Sequence, residues 1–127
     1  VRKRDFIRNL SDVEEIVAKD TAKIREIFHP KNSQVRLMSL AFGELDPGRK
    51  AVPHRHAKST AEEYYFILSG SGFISLGGRI WRITVGDAIF IPAGWKHGLA
   101  NDSNSEPLWV LAVESPPYSD EGTSFKK

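Results

Sequence analysis

The chain contains no cysteine, which excludes disulfides, a thiolate nucleophile and Cys-ligated zinc or iron–sulfur centres. It also lacks any apolar run of membrane-spanning length: the longest strongly apolar stretches, Tyr64 to Leu68 and Leu108 to Val113, are as long as a strand. Arg2, Lys3 and Arg4 are followed by no apolar stretch of the secretory kind, and a cytoplasmic protein with no membrane partner is expected. Excess charge is small, +2 from 18 Lys and Arg against 16 Asp and Glu. Five of the basic residues, Arg2, Lys3, Arg4, Lys126 and Lys127, stand at the ends; without them 13 face 16 acids, a net of −3. A polyanion-binding face is therefore not expected, nor a nucleic-acid partner. What remains is 127 residues, 40% of them hydrophobic, enough for one core and one domain.

Long helical patterns and repeats are also missing. Ser11 and Glu14 have capping-box spacing, and Val13, Ile16 and Val17 supply a small apolar face, so a short peripheral helix is expected there. Short runs bounded by Gly, Pro, Asn or Asp follow: Val35 to Phe42, Glu63 to Leu68, Gly72 to Leu76, Arg79 to Val85, Ala88 to Ile91, His97 to Asn101 and Leu108 to Val113. Gly77-Gly78 reads as a hairpin turn, and Trp81, Ile83 and Val85 alternate with polar neighbours as in a half-buried strand. Evenly spaced short strands imply an all-β sandwich or closed barrel. The expected division is an irregular or helical segment over 1–34, the β-barrel over 35–115 and a tail over 116–127, crossing in order and then fraying.

Four histidines are present, and two of them, His54 and His56, are two residues apart. On a strand such residues point to one face, so both imidazoles can reach one point. Glu62 or Glu63 enters the next strand, and His97 opens another behind the turn PAGWKH. Three neutral imidazoles and a carboxylate suit a divalent transition metal: Mn, Fe, Zn, Ni or Cu. His29, beside Pro30, is read as a surface or packing residue.

At these residues the sequence resembles the cupin superfamily, specifically a small single-domain metal-binding cupin. The first motif runs Gly48, five residues, His54-Arg55-His56, then Glu63, six residues and Gly70; the second runs Gly86, five residues, Pro92, one, Gly94, two, His97, three, Asn101. The second fits throughout. In the first, six residues separate His56 from Glu63, against three or four in the family. An outward loop would leave the carboxylate in place; a register change would leave a three-His site. Spacing to Gly70 selects Glu63 over Glu62. The resemblance covers about residues 35 to 115 and implies a double-stranded β-helix, or jelly-roll, barrel with the metal inside on His54, His56, Glu63 and His97.

Strand parity places Tyr65 with Glu63 on the cavity face and Tyr64 on the other, so Tyr65 is either a core ring or a catalytic phenol for proton transfer. Met38, Phe42, Phe90 and Trp109 are candidate apolar lining, Trp95 a packing residue at the barrel mouth, and Asn101 a satisfier of loop backbone groups. A divalent ion on three His and one Glu leaves a net charge near +1 and, if six-coordinate, two open positions for a small-molecule substrate. The family holds many reactions on this ligand set. The expected function is a metal-dependent small-molecule enzyme, a dioxygenase or a sugar isomerase-like enzyme, with a non-catalytic sugar-binding module as the alternative. The 34 residues ahead of the first clear strand are short for the DNA-binding domain of regulatory members, which favours the enzyme. A metal-free nucleotide-sugar epimerase would leave three matched ligands without a purpose. A homodimer is expected, since outer sheet edges and an apolar face need cover and the segment FIRNL has a strand's composition.

Overall fold

The structure is a computed structural model that describes residues 2–56, 60–119 and 123–124. Its strands are β1 (Glu15–Val17), β2 (Lys23–Phe28), β3 (Ser39–Leu45), β4 (Arg55–His56), β5 (Glu62–Ser69), β6 (Ser71–Leu76), β7 (Arg79–Thr84), β8 (Ala88–Ile91), β9 (His97–Ala100), β10 (Leu108–Ser115) and β11 (Thr123–Ser124). Six of them form one sheet in the order β1-β2-β3-β10-β5-β8, and a second sheet, β7-β6-β9, faces it, with β11 and β4 paired alongside. All pairings are antiparallel. This is the expected jelly-roll barrel. No helix among the described residues is long and apolar enough to cross a membrane.

Register makes the barrel's interior a set of layers. At one end Leu45 pairs with Leu108, and next to them Gly43, Val110 and Ile67 share a row. Leu108 and Ile67 are fully buried, and Ile74 and Ile83 close on them from the second sheet. Burying each such side chain contributes roughly 1.5–3 kcal/mol, so this end holds the barrel shut. The middle row is Glu26, Ala41, Ala112, Tyr65 and Ile89. The last is Ser39, Glu114, Glu63 and Ile91. One sheet face thus runs from wholly apolar to acidic within three rows, and small residues between them leave space.

Several expectations change. Residues 1–34 are not merely an irregular head, because β1 and β2 extend the main sheet and send Ile24 and Glu26 inward. The expected helix near Ser11 is a three-residue 3-10 turn, Leu10–Asp12, capped by the Asn9 side chain, and Ile16 and Val17 are extended. β-Branched residues there gain more from pairing with β2 than from a lone helical turn. The segment Phe6 to Leu10 forms no strand. The first expected strand, Val35 to Phe42, starts four residues later and ends three later, and it runs through Gly43, which pairs with Val110 on one side and Ile24 on the other. Met38, Phe90 and Trp109 are exposed, and Phe42 packs edge-on against the Trp109 ring on the outer surface, 5.8 Å between centroids. None lines the cavity; the inward parity belongs to their strand neighbours. In β7 only Ile83 is buried; Trp81, and Val85 in the turn just beyond the strand, are exposed.

Other expectations hold. Gly77 and Gly78 turn with φ of 57° and 86°, as a two-residue hairpin loop requires. A Cβ on Gly77 would lie 2.7 Å from the Trp95 ring, which packs there, half exposed. Asn101, 2% exposed, donates to the Leu45 and Glu106 carbonyls and accepts from the Ser103 N–H. In the tail, the Tyr118 N–H donates to Ser39 Oγ, and β11 pairs with β4; the expected fraying end lies largely outside the described residues.

Candidate metal centre

His54 and His97 meet through their backbones before their side chains do. Each N–H donates to the other's carbonyl at 2.9 Å, an antiparallel bridge that sets the two chains side by side. Gly98 allows it: a Cβ there would come within 3.0–3.2 Å of the Pro53 ring and Cα. The Pro92-Ala93-Gly94 turn, with Gly94 at φ 79°, closes through a Trp95 N–H to Pro92 carbonyl bond and turns His97 inward. The rings lie 4.4 Å apart, and His97 is 1% exposed.

Both rings have their tautomer fixed by carbonyls. His97 Nδ1 stands 2.9 Å from the Trp95 carbonyl, and His54 Nδ1 stands 3.2 Å from that of Val52. A carbonyl only accepts, so each Nδ1 carries a proton, and Nε2 is the nitrogen by which either ring could ligate a metal. Backbone anchoring of the distal nitrogen is how a protein orients imidazoles that ligate a metal. Asp20 lies beyond His54, its Oδ2 3.7 Å from His54 Nδ1.

Glu63 completes the described part of the set. It alternates inward with Tyr65 and Ile67 while Glu62 points outward, so the long spacing after His56 has not displaced it. Its Oε1 is 3.3 Å from His97 Nε2, both groups buried. A carboxylate and an imidazole lone pair at that distance need a positive charge between them. Burial lowers the His97 pKa, but Glu63 more than offsets this and the net shift is upward. A proton serves in metal-free protein; a divalent cation suits the same donors. His54 shifts the other way, lowered by burial and then by His97. Among the described residues no three His, Cys, Asp or Glu side chains stand as a metal-holding group. Of the four expected ligands, His97 has His54 at 4.4 Å between ring centroids and Glu63 Oε1 at 3.3 Å from its Nε2, and the His56 side chain lies outside the described residues. These donors fit a transition metal in kind: neutral imidazoles oriented from behind and a buried carboxylate.

Around them is a cavity of about 190 Å³ inside the barrel. Tyr65 faces it, its ring edge-on to His97 at 6.0 Å; burial and then Glu63 push its pKa well above the ordinary value, so the phenol keeps its proton. The acids Asp20, Glu26 and Glu114, none singled out from the sequence, also line it. Glu114 is pushed up to about 9, by burial first and then by Glu63 and Glu26. Burial raises Glu26 too, against the opposing influence of His29. Glu114 was legible: Leu108, Val110 and Ala112 alternate inward, and one more step reaches it. Glu26 was not, since the segment holding it shows no clean alternation. His29 stays outside, its Nε2–H on the Tyr118 carbonyl and its Nδ1 accepting from Lys31 N–H.

Comparison with known proteins agrees with this architecture. An uncharacterised protein of Methanocaldococcus jannaschii is 37% identical over 109 residues, 86% of this chain and 85% of that one. The dimethylsulfoniopropionate lyase DddW of Ruegeria pomeroyi is 35% identical over 74 residues, 58% of this chain and 47% of the lyase. The crystal structure of a predicted oxalate decarboxylase from Thermotoga maritima superposes with a TM-score of 0.74 at 24% identity, covering 87% of this chain and 98% of that one, a likeness of fold. The family model of the cupin domain matches residues 41–114, the stretch that holds both histidine motifs and Glu63, and the chain belongs to the cupin superfamily.

Proposed function

We propose that the protein is a metal-dependent enzyme that moves protons on a small organic substrate, in the manner of a lyase or isomerase. The observation that carries this reading is the placement of His54 and Glu63 on the wall of a cavity that also holds a protonated phenol, with the buried His97 packed directly behind them against both. His54, His56, Glu63 and His97 would hold the ion, which when bound would polarise a substrate carbonyl or hydroxyl. Tyr65 would donate a proton to the substrate or hold one in place, since its environment keeps the phenol neutral. Glu114, likewise protonated at neutral pH, would supply a second acidic proton in the same cavity. The apolar end of the barrel would exclude water from the reacting atoms. The likeness to a lyase supports the class without fixing the substrate.

Protein purified without chelator or affinity-tag metal should carry about one divalent transition-metal ion per chain by elemental analysis, the number that one ligand set can hold. With small hydroxy and amino acids it should catalyse solvent deuterium exchange and consume no oxygen. Iron with substrate-dependent oxygen uptake would overturn the proton-transfer reading in favour of a dioxygenase. Absence of metal would overturn the centre and favour a binding module.

Assembly as a homodimer belongs to the same proposal. Tyr64, Phe66, Leu68 and Phe90 are exposed on the outer face of β5 and β8, with Tyr64 and Phe90 rings 5.5 Å apart. A continuous apolar face of this kind calls for cover. Light scattering should give twice 14.2 kDa; a monomer at micromolar concentration would contradict it.

A further inference from the structure

The cavity has a size, a polarity and a direction, and together these define what can fill it. Its walls between the histidine end and β2 are small and apolar: Ala22, Ala41, Gly43 and Ala112, with Ile24 and Val110 beneath. An engineered apolar cavity of about 150 Å³ admits benzene, so about 190 Å³ takes a ligand of roughly eight non-hydrogen atoms.

The titratable side chains around that space are mostly acidic, and burial disfavours any added negative charge beside them. Four acidic side chains in its described lining, Asp20, Glu26, Glu63 and Glu114, stand against one lysine, Lys19, exposed at the rim, and no arginine; the carboxylate of Glu44 turns outward to the Trp109 indole N–H. Glu63 stands on β5 and Glu26 on β2, with β10 and β3 between, so the candidate metal end and the Glu26 end lie on strands about 14 Å apart along the sheet. Glu114, the register partner of Glu63, stands between them. One anionic group on a ligand can be balanced at the metal end. A second, reaching toward Glu26 inside the cavity, would meet carboxyl groups, since the only lysine or arginine in the described lining is Lys19 at the rim.

Resting on the metal-centre reading, we propose that the substrate is a small molecule with at most one anionic group, held at the histidine end. It has a short apolar body against Ala41 and Ala112, and an inner end bearing a hydrogen-bond donor, hydroxyl or ammonium, that Glu26 accepts. Ligands with two anionic ends, dicarboxylates and phosphorylated acids among them, are excluded. Glu26 and Ala112 are the specificity-determining residues.

The test uses four acids alike in length, each with one carboxylate for the metal end: 4-aminobutyrate, 4-hydroxybutyrate, pentanoate and glutarate. Each is titrated into zinc-loaded and into chelator-stripped protein while amide resonances of Ala41 and Ala112 are followed, and zinc content is measured on the same samples. In both preparations the amino and hydroxy acids should bind at least about tenfold more tightly than glutarate, with pentanoate between. Glu26→Gln should remove most of the preference for the ammonium end, and Ala112→Leu should abolish binding of all four while zinc content stays unchanged. Glutarate binding as tightly as 4-aminobutyrate would overturn the proposal. So would unchanged affinities in Ala112→Leu, or no cavity shifts with any of the four. Failure to load zinc, with the ranking preserved in stripped protein, would instead refute the metal centre alone.

Discussion

Glu114→Gln is expected to stabilise chelator-treated protein by about 2 kcal/mol near pH 8 and by almost nothing near pH 4. Burial, then Glu63, then Glu26, push the folded-state pKa of Glu114 from 4.5 to about 9. Below about pH 4.5 both folded and unfolded chains hold the proton, and nothing is lost. Above it the unfolded chain releases the proton while the folded chain keeps it, so unfolding gains at up to 1.36 kcal/mol per pH unit. Stability therefore falls as pH rises from 4.5 toward about 9. The full interval to pH 8 corresponds to at most ~5 kcal/mol, and relaxation among three coupled carboxyls roughly halves it. Glutamine keeps the shape and the neutrality without a proton to lose. Urea unfolding at the two pH values measures the difference. An equal effect at both, or destabilisation at pH 8, would show that Glu114 is charged in the folded protein.

Glu63→Gln should weaken binding of a divalent transition metal about 100-fold, and Glu62→Gln should change it less than about twofold. The two residues are adjacent in sequence but not in environment: Glu63 is 8% exposed against His97, and Glu62 is exposed on the outer face. Glutamine removes the negative donor and raises the net charge of the ligand set by one. A competition assay with a coloured chelator resolves both constants. Equal small losses would indicate a site built on the histidines alone. A larger loss from Glu62 would mean that the register of β5 differs from the one described.

How far the sequence revealed this site follows from where periodicity is clean. The motif spacing to Gly70 selected Glu63, strand parity placed Tyr65 with it and Tyr64 opposite, and the burial of EEYYFILS alternates accordingly. The PAGWKH turn delivers His97 as its Pro and Gly suggested. Legibility failed where space rather than bulk is the feature. Large residues such as Phe90 and Trp109 looked like lining, yet the cavity exists because Ala41, Gly43 and Ala112 are small. It failed also in β2, whose side chains are all partly buried, so KIREIF carries no two-residue rhythm. Gly43 read as a terminator because an isolated glycine weakens a strand in general. Here it sits mid-strand, and the space its absent side chain leaves belongs to the cavity.

Calorimetric titration of chelator-stripped protein with a divalent transition metal such as cobalt tests the central claim most directly, wild type beside His97→Ala. Wild type should bind one ion per chain, more weakly as pH is lowered, because Glu63 raises the His97 pKa and protons compete with the ion for the imidazole. His97→Ala, folded by circular dichroism, should show no stoichiometric binding. Tight one-to-one binding retained in His97→Ala, or none in the wild type, would contradict the account.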